Sequence, residues 1–127
     1  MGFSIYSILP LMTSFCLISF GTFVLIKNYQ LVITRTFFLL CASTALWAFG
    51  YSLMYASTNP LQALFWARIG YLGVIYIPIS LFHFTLSFLK IDAKRSIISL
   101  YVFSIFWIII SQTDYFLKGM RVFFWGY

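Results

Sequence analysis

The sequence has no glutamate, two aspartates and a single histidine among its 127 residues, and only 8% of its residues are charged. Soluble domains average about 25% charged residues, so a water-soluble enzyme and a disordered tail are both excluded by composition. The two acids, Asp92 and Asp114, sit at the ends of apolar runs. Paired carboxylates, an HExxH zinc helix and a proton-coupled exchanger with an acid buried mid-span are therefore all missing. Cysteine is scarce as well. Cys16 and Cys41 lie inside apolar runs with no CxxC or Cys/His metal spacing, and they read as small packing residues. The sequence predicts no catalytic residue, no cofactor and no metal site.

What is present is apolar and aromatic: 63% of the residues are hydrophobic and 23% are Phe, Trp or Tyr. Roughly 20 apolar residues in a helix cross the ~30 Å hydrocarbon core of a bilayer. Uncharged or nearly uncharged runs cover residues 3–26, 36–56, 61–89 and 96–113, and residues 114–127 form an aromatic-rich tail. The expected fold is all-α: an integral membrane protein of four transmembrane helices in an up-down, left-handed antiparallel bundle. No basic n-region or A-x-A-like cleavage site precedes the first run, so it reads as a retained anchor rather than a signal peptide.

Lysine and arginine total 8, giving a net charge of +6. On a soluble domain that excess would suggest nucleic acid; in a membrane chain it reports topology, and no nucleic-acid partner is predicted. With the N-terminus outside, Lys27, Arg35, Lys90, Lys94 and Arg95 fall on the cytoplasmic side, against Arg68, Lys118 and Arg121 outside. The expectation is a multi-pass protein of the inner (cell) membrane, N-terminus out, with the tail returned to the outer face.

Between helices in lipid, association depends on close approach at small residues. Cys41, Ala45, Ala48, Ser52 and Ala56 share one face of the second span, and Ala63, Ala67, Gly70 and Val74, with Gly73 nearby, share one face of the third. Ser7, Ser14 and Gly21 lie seven apart in the first. These faces are expected to meet and close the bundle. Trp and Tyr gather at headgroup level, which suits Tyr29, Tyr51, Tyr55, Trp66 and Tyr71.

Arg68 and His83 are the ionisable groups inside the third span. Arg68 is either functional or snorkels to the outer headgroups from an over-long helix. His83, about 22 Å further along the axis, either titrates or hydrogen-bonds across the bundle. Pro78 lies between them and is expected to kink the helix and free a carbonyl.

LLCASTALWAFGYSLMY (39–55), ALFWARIGYLGVIYIPISLFHFTLSFL (63–89) and the terminal FFWGY together resemble the N-terminal seven-helix membrane region of bacterial sensor histidine kinases. The matching positions are Trp47, Gly50, Tyr51, Phe65, Trp66, Arg68, Tyr71, Gly73, Pro78, His83 and Phe84, followed by Trp125, Gly126 and Tyr127. Phe-Trp-Ala-Arg-Ile-Gly-Tyr-Leu-Gly is the most specific segment. The resemblance spans the first four of the family's seven helices. It implies the sensory input region of a two-component kinase, with the catalytic module supplied by a longer parent and this chain a fragment of it. The candidate structural or sensing residues are Arg68, His83, Pro78, Trp47, Trp66, Tyr71 and Gly73. Expected partners are the lipid bilayer and either a second copy or a downstream kinase module. The competing reading is a stand-alone small membrane protein, resting on a closed four-helix bundle.

Overall fold

The computed structural model describes residues 4–113, 115 and 116. They form four helices: α1 (Ile5–Lys27), α2 (Val32–Ala56), α3 (Pro60–Leu89) and α4 (Lys94–Ser111), with no strand among the described residues. Each helix is long and apolar enough to cross a membrane. The expected tail lies almost wholly outside the described residues, Trp125, Gly126 and Tyr127 included.

Local chemistry sets the helix ends. Ser7 Oγ accepts the Ser4 backbone N–H at 3.0 Å and donates to the Ser4 carbonyl, holding the start of α1. Asn59 Oδ1 accepts the Leu61 N–H at 2.9 Å, and Pro60 follows at the first helical position, where its missing N–H costs nothing. At the other end of α3, Lys90 takes the left-handed conformation, φ 56°, and Ile91 N–H reaches back to the Leu86 carbonyl. A lysine in this conformation costs about 1–2 kcal/mol relative to the right-handed helix, and it turns the chain sharply into the charged 90–93 connection. α2 begins at Val32, so Arg35 lies in its first turn and not in the connection before it.

The interior is the reverse of a soluble core. Among the described residues, the largest fully buried side chains are Thr36, Ser7, Ser52, Ser104 and Ser111, while Phe15, Phe23, Ile98, Phe106 and many other large apolar residues face outward. Hydroxyls that point into the helix seams return to backbone carbonyls three or four residues earlier, as Ser80 does to Tyr76 and Ser104 to Tyr101. That satisfies them where water is absent.

α2 is the central helix, and it is buried on two opposite sides. Its predicted stripe, Cys41, Ala45, Ala48, Ser52 and Ala56, is buried throughout and receives α1. Ser52 Oγ donates to the Ser7 carbonyl at 2.5 Å, and Ser14 Oγ donates to the Ala45 carbonyl at 2.9 Å. A Cβ on Gly21 would stand 2.8 Å from that of Cys41. The three small residues predicted for α1 are its only buried residues among those described. Roughly 180° around α2, at 100° per residue, Ser43, Gly50 and Met54 form a second seam that receives α3. Ser43 Oγ and Ser80 Oγ are 2.9 Å apart, Gly50 faces the Gly70 backbone, and Met54 packs with Ala63 and Ala67. Residue numbers rise on one helix as they fall on its partner, so α1 with α2 and α2 with α3 are antiparallel.

Two expectations are corrected. Val74 does not belong to the α3 stripe: it is 36% exposed, and Gly73 occupies the crossing instead. Nor is the bundle closed. Among the described residues, helix backbones approach only between chain neighbours, so the helices run α1–α2–α3–α4 in a row and α1 does not meet α4. With two seams on α2 set on opposite sides, α1 is carried away from α3 and closure is geometrically prevented.

Candidate functional site

The α2–α3 crossing holds the tightest glycine contacts among the described residues. A Cβ on Gly73 would lie 2.5 Å from the Trp47 backbone N and 2.6 Å from the Ser43 carbonyl oxygen. A Cβ on Gly50 would lie 2.6 Å from Gly70 Cα. Backbone meets backbone here, which only glycine permits. Beside this crossing, Trp47, Tyr51, Tyr71, Ile77 and Pro78 line an open groove of about 540 Å³. The Trp47 and Tyr51 rings meet edge to face at 5.9 Å, and Tyr71 meets Phe116 at 5.2 Å. Val74, displaced from the seam, lines the same groove.

Three of the candidate residues, Trp47, Tyr71 and Pro78, thus line one open groove between α2 and α3, with Gly73 setting how closely the two helices approach there. The others lie elsewhere. Trp66 is half-buried beside the Met54–Ala63–Ala67 cluster, perpendicular to Phe49 at 6.0 Å. Arg68 sits near the opposite end of α3 from His83, and its carbonyl accepts a long hydrogen bond, 3.4 Å, from Gln112 Nε2 of the segment after α4. His83 Nδ1 lies 3.2 Å from Tyr101 Oη, linking α3 to α4, and Tyr76 packs near the same phenol ring. α3 continues as one α-helix through Pro78. No group of three or more His, Cys, Asp or Glu gathers among the described residues.

Tyr101 was not anticipated as the partner of His83. The signal lay in α4 itself: Tyr101, Ser104, Ile108 and Ser111 recur at steps of three and four, and both serines are buried. A second, larger cleft of about 910 Å³ between α3 and α4 was likewise not foreseen, because it follows from how sparsely those two helices pack. The side chains around these spaces offer aromatic faces, hydroxyls and apolar walls.

The family described as the N-terminal 7TM region of histidine kinase matches residues 9–126. The chain belongs to this family. It is thus, by family, an N-terminal membrane sensor region of histidine kinases, as the Phe65–Gly73 motif had suggested. In this histidine-kinase membrane region, α2, α3 and α4 fall entirely inside the match, and α1 does from residue 9 onward. The motif's Gly70 and Gly73 are residues of the α2–α3 crossing, so its most specific segment builds the tightest of the described glycine contacts. Comparison with curated proteins and with solved structures finds no match.

Proposed function

We propose that this chain is the membrane-embedded input region of a two-component histidine kinase of the inner membrane, with its N-terminus outside. The kinase module it controls lies on the same polypeptide or on a partner chain. The family match over residues 9–126 carries this reading. The charge distribution supports the orientation: Lys27 ends α1 and Lys90, Lys94 and Arg95 flank the α3–α4 connection, on the end of the row opposite Arg68.

The packing suggests how such a region works. α1, α2 and α3 are locked through glycine and serine seams, whereas α4 contacts α3 sparsely beside a large cleft. In this reading α4 is the element whose position relative to the locked three reports the input, with the His83–Tyr101 link as one of its attachments. The stand-alone alternative rested on a closed bundle. Since α1 and α4 do not come together, it lacks that support.

The test is a phosphorylation assay on native membranes. The tagged chain is captured in mild detergent and incubated with radiolabelled ATP. The expected result is an acid-labile, alkali-stable phosphohistidine label on the captured polypeptide or on one retained with it. Absence of such a label from membranes in which the chain is abundant would overturn the reading.

A further inference from the structure

The α3–α4 cleft is polar at one end and apolar along the rest. Arg95, Ser96 and Ser99 line it within the first two turns of α4, and Ile79, Phe103 and Trp107 are among the residues that line the remainder. No acid among the described residues lines it: Asp92, the acid nearest in sequence, stands 3.5 Å from Lys94 instead. Ser104 returns its hydroxyl to the Tyr101 carbonyl, but the Ser96 and Ser99 hydroxyls make no side-chain hydrogen bond among the described residues, which leaves two donors beside the guanidinium. From Arg95 to Trp107 the helix rises about 18 Å. One leaflet of a bilayer is half of the ~30 Å hydrocarbon core. The cleft therefore has a cationic, hydroxyl-bearing end and an apolar trough about one leaflet deep.

We propose that this cleft binds an anionic phospholipid of the surrounding bilayer. The phosphate sits at Arg95, Ser96 and Ser99, and one acyl chain lies along the trough as far as Trp107. Charge complementarity and depth select this occupant. A second copy of the chain or a further helix could cover the apolar trough, but it would leave the guanidinium facing a helix rather than an anion. The volume of about 910 Å³ suits a ligand of this size. The proposal goes beyond the input-region reading and stands on the α3–α4 geometry alone.

The test reads tryptophan quenching by brominated lipids. The full chain, with Trp107 as its sole tryptophan (W47F, W66F, W125F), is reconstituted in phosphatidylcholine vesicles containing a minor fraction of brominated phosphatidylglycerol or brominated phosphatidylcholine. The phosphatidylglycerol should quench Trp107 about fivefold more effectively, the attraction expected of one basic side chain. R95Q should bring the ratio to one, and K94Q should leave it unchanged. S99F, at an exposed position where the polar end meets the trough, should block entry and reduce quenching by both lipids. With all four native tryptophans kept, spin-labelled phosphatidylglycerol should show the same preference in its motionally restricted fraction. Equal quenching by the two lipids would overturn the proposal, and so would an equal loss in K94Q, which would mark a diffuse basic surface. Absence of quenching by either lipid would show the cleft covered by protein and would overturn it too. None of these outcomes depends on the phosphorylation assay, so each proposal fails separately.

Discussion

Replacing Gly73 with valine is expected to separate α3 from α2. The ideal Cβ position lies 2.5 Å from the Trp47 backbone N, 2.6 Å from the Ser43 carbonyl oxygen and 2.9 Å from Trp47 Cα. All three neighbours are backbone, so no side chain can rotate away to relieve the clash. Overpacking a well-packed interior typically costs about 1–3 kcal/mol, and this site belongs at the upper end because two helices must move apart as rigid bodies. The measurement is disulfide cross-linking of S43C with S80C, whose native hydroxyl oxygens are 2.9 Å apart, in a chain with Cys16 and Cys41 replaced. The parent should cross-link efficiently, and Gly73→Val should lose the cross-link and unfold at lower SDS. Retention of the parent yield would mean that the α2–α3 crossing is not built as described.

A Gly21→Leu chain should behave differently: α1 is released and the α2–α3 pair stays intact. The Cβ at position 21 would approach Cys41 Cβ to 2.8 Å, with Phe38 at 3.4 Å. α1 touches only α2 among the described residues, so the damage has no second route. Cross-linking of S7C with S52C, joined natively by the Ser52 hydroxyl on the Ser7 carbonyl, should fall sharply, while the S43C–S80C pair is unaffected. Substitutions at separate seams should then add within about 0.3–0.5 kcal/mol, as distant sites do. In a closed bundle each would weaken the other's seam. Coupled losses would therefore restore the ring of four helices that the row excludes.

The small-residue stripes were legible because their physics is local. Ser7, Ser14 and Gly21 on α1, and Cys41 through Ala56 on α2, are the residues that permit close approach, and they are buried as their spacing implies. The second seam of α2 was equally present at Ser43 and Gly50, seven residues apart. It escaped notice because the first stripe already accounted for one partner, and in lipid a helix packed on two sides shows no polar face to betray it. That omission produced the expectation of closure. On α3, Gly73 and Val74 are adjacent and both fit a loose four-residue step, and only the approach of the Trp47 backbone decides between them. Charge marks the start of the second run at residue 36, yet α2 begins at Val32, since one arginine in a first helical turn costs at most about 1 kcal/mol through the helix dipole. The cleft beside α4 could not be read at all, since it depends on the distance between two helices and not on the pattern along either.

The family match covers residues 9–126, and the structure gives the Phe65–Gly73 segment, the most specific part of the resemblance, a physical role. Its glycines hold the α2–α3 crossing together. Its arginine stands near the α4 end of the row, where Gln112 reaches the Arg68 carbonyl.

The central claim is that four helices thread a bilayer alternately, and labelling of single cysteines with a membrane-impermeant maleimide tests it most directly. Cysteines placed at Asn28, Thr58 and Asp92, in a chain lacking Cys16 and Cys41, report the three connections. In intact spheroplasts the account predicts modification at Thr58, with modification at Asn28 and Asp92 only after permeabilisation. The reversed pattern would overturn the orientation. Modification of all three in intact spheroplasts, or of Thr58 and Asp92 from the same side, would contradict the threading itself.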